Sequence, residues 1–103
     1  MNSSKFLSSL GLARRANKIF YGFDSVCENA NKINLVILAS DISTRTAKNI
    51  YNLTDIKKIE TIEVKHQKDT LGYAIGAKPV GIIGITDNGF AKILKDRIKE
   101  ETE

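Results

Sequence analysis

Asp69-Thr70-Leu71-Gly72-Tyr73-Ala74-Ile75-Gly76-Ala77-Lys78-Pro79-Val80-Gly81-Ile82-Ile83-Gly84-Ile85-Thr86-Asp87-Asn88-Gly89-Phe90-Ala91-Lys92-Ile93-Leu94 is the run from which the fold can be read. It holds five of the seven glycines and the single proline. It divides into a short helix over 69–75, a loop at Ala77-Lys78-Pro79, a strand over 80–85 and a capped last helix. Gly76 suits the left-handed residue that ends a helix. Val80 to Ile85 is too short for a helix and apolar throughout, as a strand covered on both faces must be. Gly81 and Gly84 would let a helix approach that strand closely. Thr86-Asp87-Asn88-Gly89 offers caps for a helix with Phe90, Ile93, Leu94 and Ile98 inward. A loop set between regular elements is where a small domain usually keeps its function.

The same alternation runs backwards along the chain. Ser3 or Ser4 can cap a first helix whose apolar stripe is Phe6, Leu7, Leu10 and Ala13. Arg14 and Arg15 close it, where cations suit the helix dipole and are also free to meet phosphate. Ile19-Phe20-Tyr21 is a short extended piece ending at Gly22. A second helix follows to about Asn29, with Val26 and Cys27 inward, then a polar turn at Asn31–Asn34. Leu35-Val36-Ile37-Leu38-Ala39 is a second doubly buried strand. A third helix covers Thr44 to Leu53, with Arg45 and Lys48 outward. Thr61–Val64 is a strand, and His66 sits in a solvated connection. The tail Glu100–Glu103 is expected to fray. Helices alternating with buried strands predict a three-layer α/β/α sandwich, a mixed four-stranded sheet flanked by about five helices. The sheet is expected to be mostly parallel at its centre, with a reversed strand allowed at an edge.

Composition narrows the function. The 103 residues suit one domain with a core that needs no staples. No apolar run reaches the roughly 20 residues of a membrane span, and the N-terminus lacks the apolar core of a signal peptide. A cytoplasmic protein with no membrane partner is expected. One Cys and one His exclude an internal disulfide and a closed zinc site, and no cofactor is implied. The net charge of +4 is uneven: residues 1–58 carry nine Lys/Arg against four Asp/Glu, residues 59–103 seven against eight. A basic half points to an anionic partner, most often nucleic acid. No nucleophile elbow or Walker-type phosphate loop is present, and Gly76 ends a helix where nucleotide loops open one. The aromatics are spaced like core residues, which favours reading an RNA by shape and phosphate over base stacking.

Leu10–Lys18, Gly22–Val26, Leu35–Asp41, Leu71–Gly76 and Thr86–Ala91, in this order and spacing across residues 5–94, resemble the small bacterial YlxQ branch of the kink-turn-binding ribosomal protein family of the L-seven-Ae type. The resemblance implies an α/β/α sandwich that binds the kink-turn, a sharply bent RNA with sheared G·A pairs. In that family the start of the second helix, Gly-x-Asn-Glu-x-x-Lys, enters the major groove. The loop after Leu-Gly-x-x-x-Gly packs on extruded nucleotides. Here the first pattern falls on Gly22, Asp24, Ser25 and Glu28, and the second on Gly76, Ala77, Lys78, Pro79 and Val80. Asp24 stands in place of Asn, Ser25 of Glu and Glu28 of Lys. An ionised Asp cannot donate a hydrogen bond, whereas the major-groove edge of guanine offers acceptors. Glu28 repels phosphate. The Ser25 hydroxyl and the helix-start N–H groups remain usable, and Arg14, Arg15, Lys18, Lys32, Arg45 and Lys48 are the phosphate-contact candidates. The expectation is a non-catalytic monomer that binds structured RNA, ribosomal or messenger, on the ribosome or as a regulator. A protein–protein module that has lost kink-turn readout is the alternative, and a nucleotide- or phosphate-dependent enzyme a third.

Overall fold

The computed structural model describes residues 4–102. In chain order the elements are α1 (Lys5–Arg15), β1 (Ile19–Tyr21), α2 (Phe23–Glu28), a 3-10 turn (Ala30–Lys32), β2 (Leu35–Leu38), α3 (Thr44–Lys57), β3 (Glu60–Glu63), α4 (Lys68–Ile75), β4 (Ile82–Ile85) and α5 (Asn88–Thr102). Local chemistry sets most of the boundaries. Ser4 caps α1, its Oγ accepting from the Leu7 N–H at 3.2 Å; Ser3 lies outside the described residues. Ser43 does the same for α3 through the Thr46 N–H at 3.1 Å, and Asp87 for α5 through the Phe90 N–H at 2.9 Å. α4 stops at Gly76, which is left-handed with φ 73°. α3 runs to Lys57, four residues past the expected Leu53, and ends on Lys58 in the left-handed conformation.

The strand order is β1-β4-β2-β3. Every strand of this mixed sheet is short, and β2 and β4 are buried along their whole length. Alternate residues of these two strands feed two cores. Leu35, Ile37, Ile83 and Ile85 meet Phe6, Leu10, Leu71, Ile75 and Leu94 of α1, α4 and α5. Val36, Leu38 and Ile82 meet Val26 and Ile50 of α2 and α3. The result is the expected three-layer α/β/α sandwich.

The strand directions differ from expectation. β2 pairs with β3 in parallel, but β4 is antiparallel to both β1 and β2, so the centre of the sheet is not parallel. A doubly buried apolar run carries no mark of its direction, and only the connections decide it. β3 finishes at the same end of the sheet as β1 and β2, and α4, packed beside α1, starts and stops at that end without crossing the sheet, so β4 starts there.

Other side chains also depart from the sequence reading. Ile93 is 42% exposed, and Ala91 takes the inward place on α5. Cys27 is half-buried rather than a core residue. Gly84 makes room for the Ile33 side chain, not for a helix. His66 is not solvated. Its ring stacks on Phe6 with centroids 5.6 Å apart, and its Nε2 lies 2.8 Å from Glu101 Oε1. Ser4 Oγ donates to the other oxygen of the same carboxylate, and Lys65 Nζ donates to the Glu101 carbonyl at 3.3 Å. Glu100 and Glu101, expected in a frayed tail, therefore belong to a helix whose end is docked on α1; Glu103 lies outside the described residues.

Gly72 fixes how α4 meets the loop that follows it. A Cβ at this position would collide with the Lys78 carbonyl and stand 2.9 Å from Pro79 Cα. Overpacking against backbone of this kind costs about 1–3 kcal/mol. Gly72→Ala should therefore lower the chemical-denaturation midpoint, although alanine is the better helix former; an unchanged midpoint would contradict the packing described.

Tyr51 joins α3 to β3, donating its hydroxyl proton to Glu63 Oε2 at 2.5 Å. Burial, that hydrogen bond and the nearby carboxylates of Glu63 and Asp55 push its pKa up from 10 to about 12. The folded state thus favours the protonated phenol. This contribution to stability is complete below the ordinary tyrosine value and is lost as pH rises through about 12. Alkaline titration should show a tyrosinate absorbance step near pH 12 that Tyr51→Phe abolishes; persistence of the step in the variant would count against the assignment.

Candidate nucleic-acid interface

Four loops meet at one end of the sheet. Three leave the carboxyl ends of β1, β2 and β3, and the fourth enters β4 from α4. Backbone hydrogen bonds lace them together. The Gly22 N–H donates to the Ile82 carbonyl at 2.9 Å, the Ala39 N–H to Gly81 at 2.9 Å and the Ser40 N–H to His66 at 2.9 Å. The Val80 N–H donates to the Lys68 carbonyl at 3.0 Å, and Asp41 Oδ1 accepts from the Lys68 N–H at 2.8 Å, serving the start of α4. Gly22 has φ 92°, a conformation that a side chain rarely adopts.

Two stretches that lie more than fifty residues apart in the chain are thereby brought side by side. Tyr21 and Gly22 share one open groove with Gly76, Ala77, Lys78 and Pro79. Gly22 and Phe23 share a second with Ile42, Ser43, Lys68 and Pro79. A third runs between α1 and α4, where Leu12, Arg14 and Arg15 face Tyr73 and Gly76. No Asp or Glu lines any of the three. The Arg14 guanidinium lies 5.8 Å from the centre of the Tyr21 ring, a cation–π contact that ties the end of α1 to the edge strand.

The sequence-predicted residues divide. Gly22, Ala77, Lys78 and Pro79 line one groove, with Arg14 and Arg15 in the adjoining one. Val80 lies at the same place but is buried, at 7% exposure, so it supports the loop from beneath. Lys18 and Lys32 do not join them. The Lys18 carbonyl accepts from Thr86 at 2.9 Å, and Lys32 ends the 3-10 turn that leads into the start of β2, both at the opposite end of the sheet. Arg45 and Lys48 are exposed on α3 but line none of these grooves, whereas Ser43 and Thr46 do.

α2 is six residues long, so its dipole adds little, and its side chains decide what it presents. Asp24 is exposed and Ser25 half-buried in its first turn; Glu28 is exposed at its end. The Cys27 thiol registers their field: burial, then the charges of Asp24 and Glu28, push it above its usual value. This helix is a negative rim beside an acid-free floor.

Sequence reasoning missed Lys68, Phe23 and Tyr73. Tyr73 was legible, because on α4 it lies about 200° around from the inward Leu71. It is 88% exposed, and Tyr21 and Phe23 are 37% and 39% exposed, so the expectation that the aromatics fill the core fails for all three.

Comparison with known proteins places this geometry. The chain is 32% identical over 96 residues to the RNA-binding protein YlxQ of Bacillus subtilis, an alignment covering 91% of this chain and 95% of that one. It is 32% identical over 100 residues to the RNA-binding protein YlxQ of Enterococcus faecium, covering 95% of each. The structure of a protein with unknown function from Bacillus halodurans superposes with a TM-score of 0.86 at 33% identity, covering 94% of this chain and 99% of that one. The Giardia lamblia 15.5kD RNA binding protein shares the fold, with a TM-score of 0.75 at 16% identity, covering 97% and 90%. Residues 4–95 match the family described as Ribosomal protein L7Ae/L30e/S12e/Gadd45, and the chain belongs to that family.

Proposed function

We propose that this chain is a non-catalytic protein that binds structured RNA of the kink-turn type through Gly22–Ser25 and the 76–80 loop. The observation that carries the reading is that Gly22, at the head of the first stretch, shares one groove with Gly76, Ala77, Lys78, Pro79 and Val80, and that no Asp or Glu lines it. The relatives named as RNA-binding proteins and the basic first half of the chain support it. In this reading Lys78, Arg14 and Arg15 meet phosphates, Gly22 and the Ala77–Pro79 backbone allow close approach, and the Ser25 hydroxyl reaches the groove edge. Val80 acts only by supporting the loop. The proposed setting is a monomer in the bacterial cytoplasm, acting on ribosomal or messenger RNA.

A phosphate contact is worth about one unit in the slope of log affinity against log salt. Titration of a kink-turn RNA and a matched straight duplex across salt should show preference for the kink-turn. Lys78→Glu should weaken binding about tenfold and flatten the slope by about one unit, while Lys18→Glu, at the other end of the sheet, should have a smaller effect. Binding of neither RNA would overturn the reading, and equal binding of both would reduce it to general affinity for RNA.

Asp24 and Glu28 carry the alternative, a protein–protein module. Glu28→Lys removes one repulsive charge and supplies a donor, so it should tighten kink-turn binding about tenfold and leave the straight duplex less affected. If Glu28→Lys changes neither, and a partner is captured equally with and without RNase, the protein–protein reading is preferred.

A further inference from the structure

We propose that the groove between α1 and α4 is a second nucleic-acid site, which takes unpaired nucleotides extending from the RNA bound at the 76–80 loop and stacks a base on Tyr73. The inference rests on the RNA-binding reading above and adds to it Tyr73 and Leu12, which that reading leaves unused, beside Arg14 and Arg15, which it shares. Tyr73 is 88% exposed in a helix whose other large apolar side chains, Leu71 and Ile75, are buried. Leu12, 49% exposed, supplies an apolar wall across the groove. Arg14 and Arg15 stand at the same groove with no acidic residue lining it, and α1 has none in its first turn. An exposed ring in a groove that two arginines also line matches a nucleotide: the ring takes the base and the cations take its phosphates.

Continuity sets the occupant. Gly76 lines both this groove and the one at the 76–80 loop, and Arg14 lies over Tyr21, which lines the latter. A strand leaving the loop therefore meets Arg14 and then Tyr73 without crossing an acidic patch. Two grooves elsewhere on the molecule contrast with this path, one lined by Glu60, Glu63 and Asp96 and the other by Glu100 and Glu101. Stacking on a ring is sequence-tolerant, so the segment is defined by being unpaired and not by its bases.

The test uses the full chain and a kink-turn RNA made with and without a short unpaired extension at either end. One base stacked on an aromatic ring is worth about 5- to 150-fold in affinity. The extension at one end should therefore tighten binding about tenfold or more. Tyr73→Ser should remove that gain and leave the blunt RNA unaffected, Tyr73→Phe should keep it, and Arg15→Gln should reduce it. Four outcomes would overturn the proposal. If the blunt RNA binds but the extension adds nothing, or its gain survives Tyr73→Ser, the groove does not hold unpaired nucleotides and the RNA-binding reading stands. If the wild type is a dimer that Tyr73→Ser dissociates, the groove is an interface between copies. If neither RNA binds, both readings fall together.

Discussion

β4 runs antiparallel to both of its neighbours, Tyr21 facing Ile83 on one side and Leu38 facing Ile82 on the other. The candidate site depends on that direction. In an all-parallel sheet the loop entering a strand and the loops leaving the others lie at opposite ends. Here the loop that enters β4 lies beside those that leave β1 and β2, and Gly22 meets the 76–80 segment. The register is held by burial on both faces. A slip of one residue would exchange Ile82 and Ile83 between the two cores and put Gly84 where an isoleucine is needed.

The surroundings of β4 keep this arrangement rigid. Gly72 allows α4 to press on the Lys78–Pro79 backbone, and the Val80 amide is tied back to Lys68. The loop is therefore short, pinned at both ends and supported by the buried Val80. On the helix-facing side of the β3–α4 connection, Glu101 gathers Ser4, Lys65 and His66 and holds α5 against α1. That polar cluster lines none of the three grooves described above and serves the packing of α1 and α5 against this connection.

Much of this was legible in the sequence. Ser4, Ser43, Asp87 and Gly76 mark helix ends by their own chemistry, and Leu35–Leu38 and Ile82–Ile85 declare double burial by lacking polar residues. What escaped were the non-local matters. Direction of β4 depends on which end of the sheet α4 returns to. His66 looked solvated because its partners, Phe6 and Glu101, lie 60 and 35 positions away. Charge counts placed Lys18 and Lys32 with Lys78, although the topology sends them to the opposite end. The exposure of Tyr73 was available from helical spacing, since its neighbours Leu71 and Ile75 already occupied the inward face.

The acidic rim on α2 and the acid-free floor beside it set the electrostatic question for this molecule. Asp24 and Glu28 repel phosphate from one side, so the proposed reading draws its attraction from Lys78, Lys68, Arg14 and Arg15. The most direct measurement is amide chemical-shift mapping of the full chain titrated with a kink-turn RNA. The account requires the largest changes at Gly22, Gly76, Ala77, Lys78 and Gly81, with Asn34 and Thr86 at the opposite end undisturbed. Changes centred on Lys18, Lys32 and Asn34 instead would contradict it.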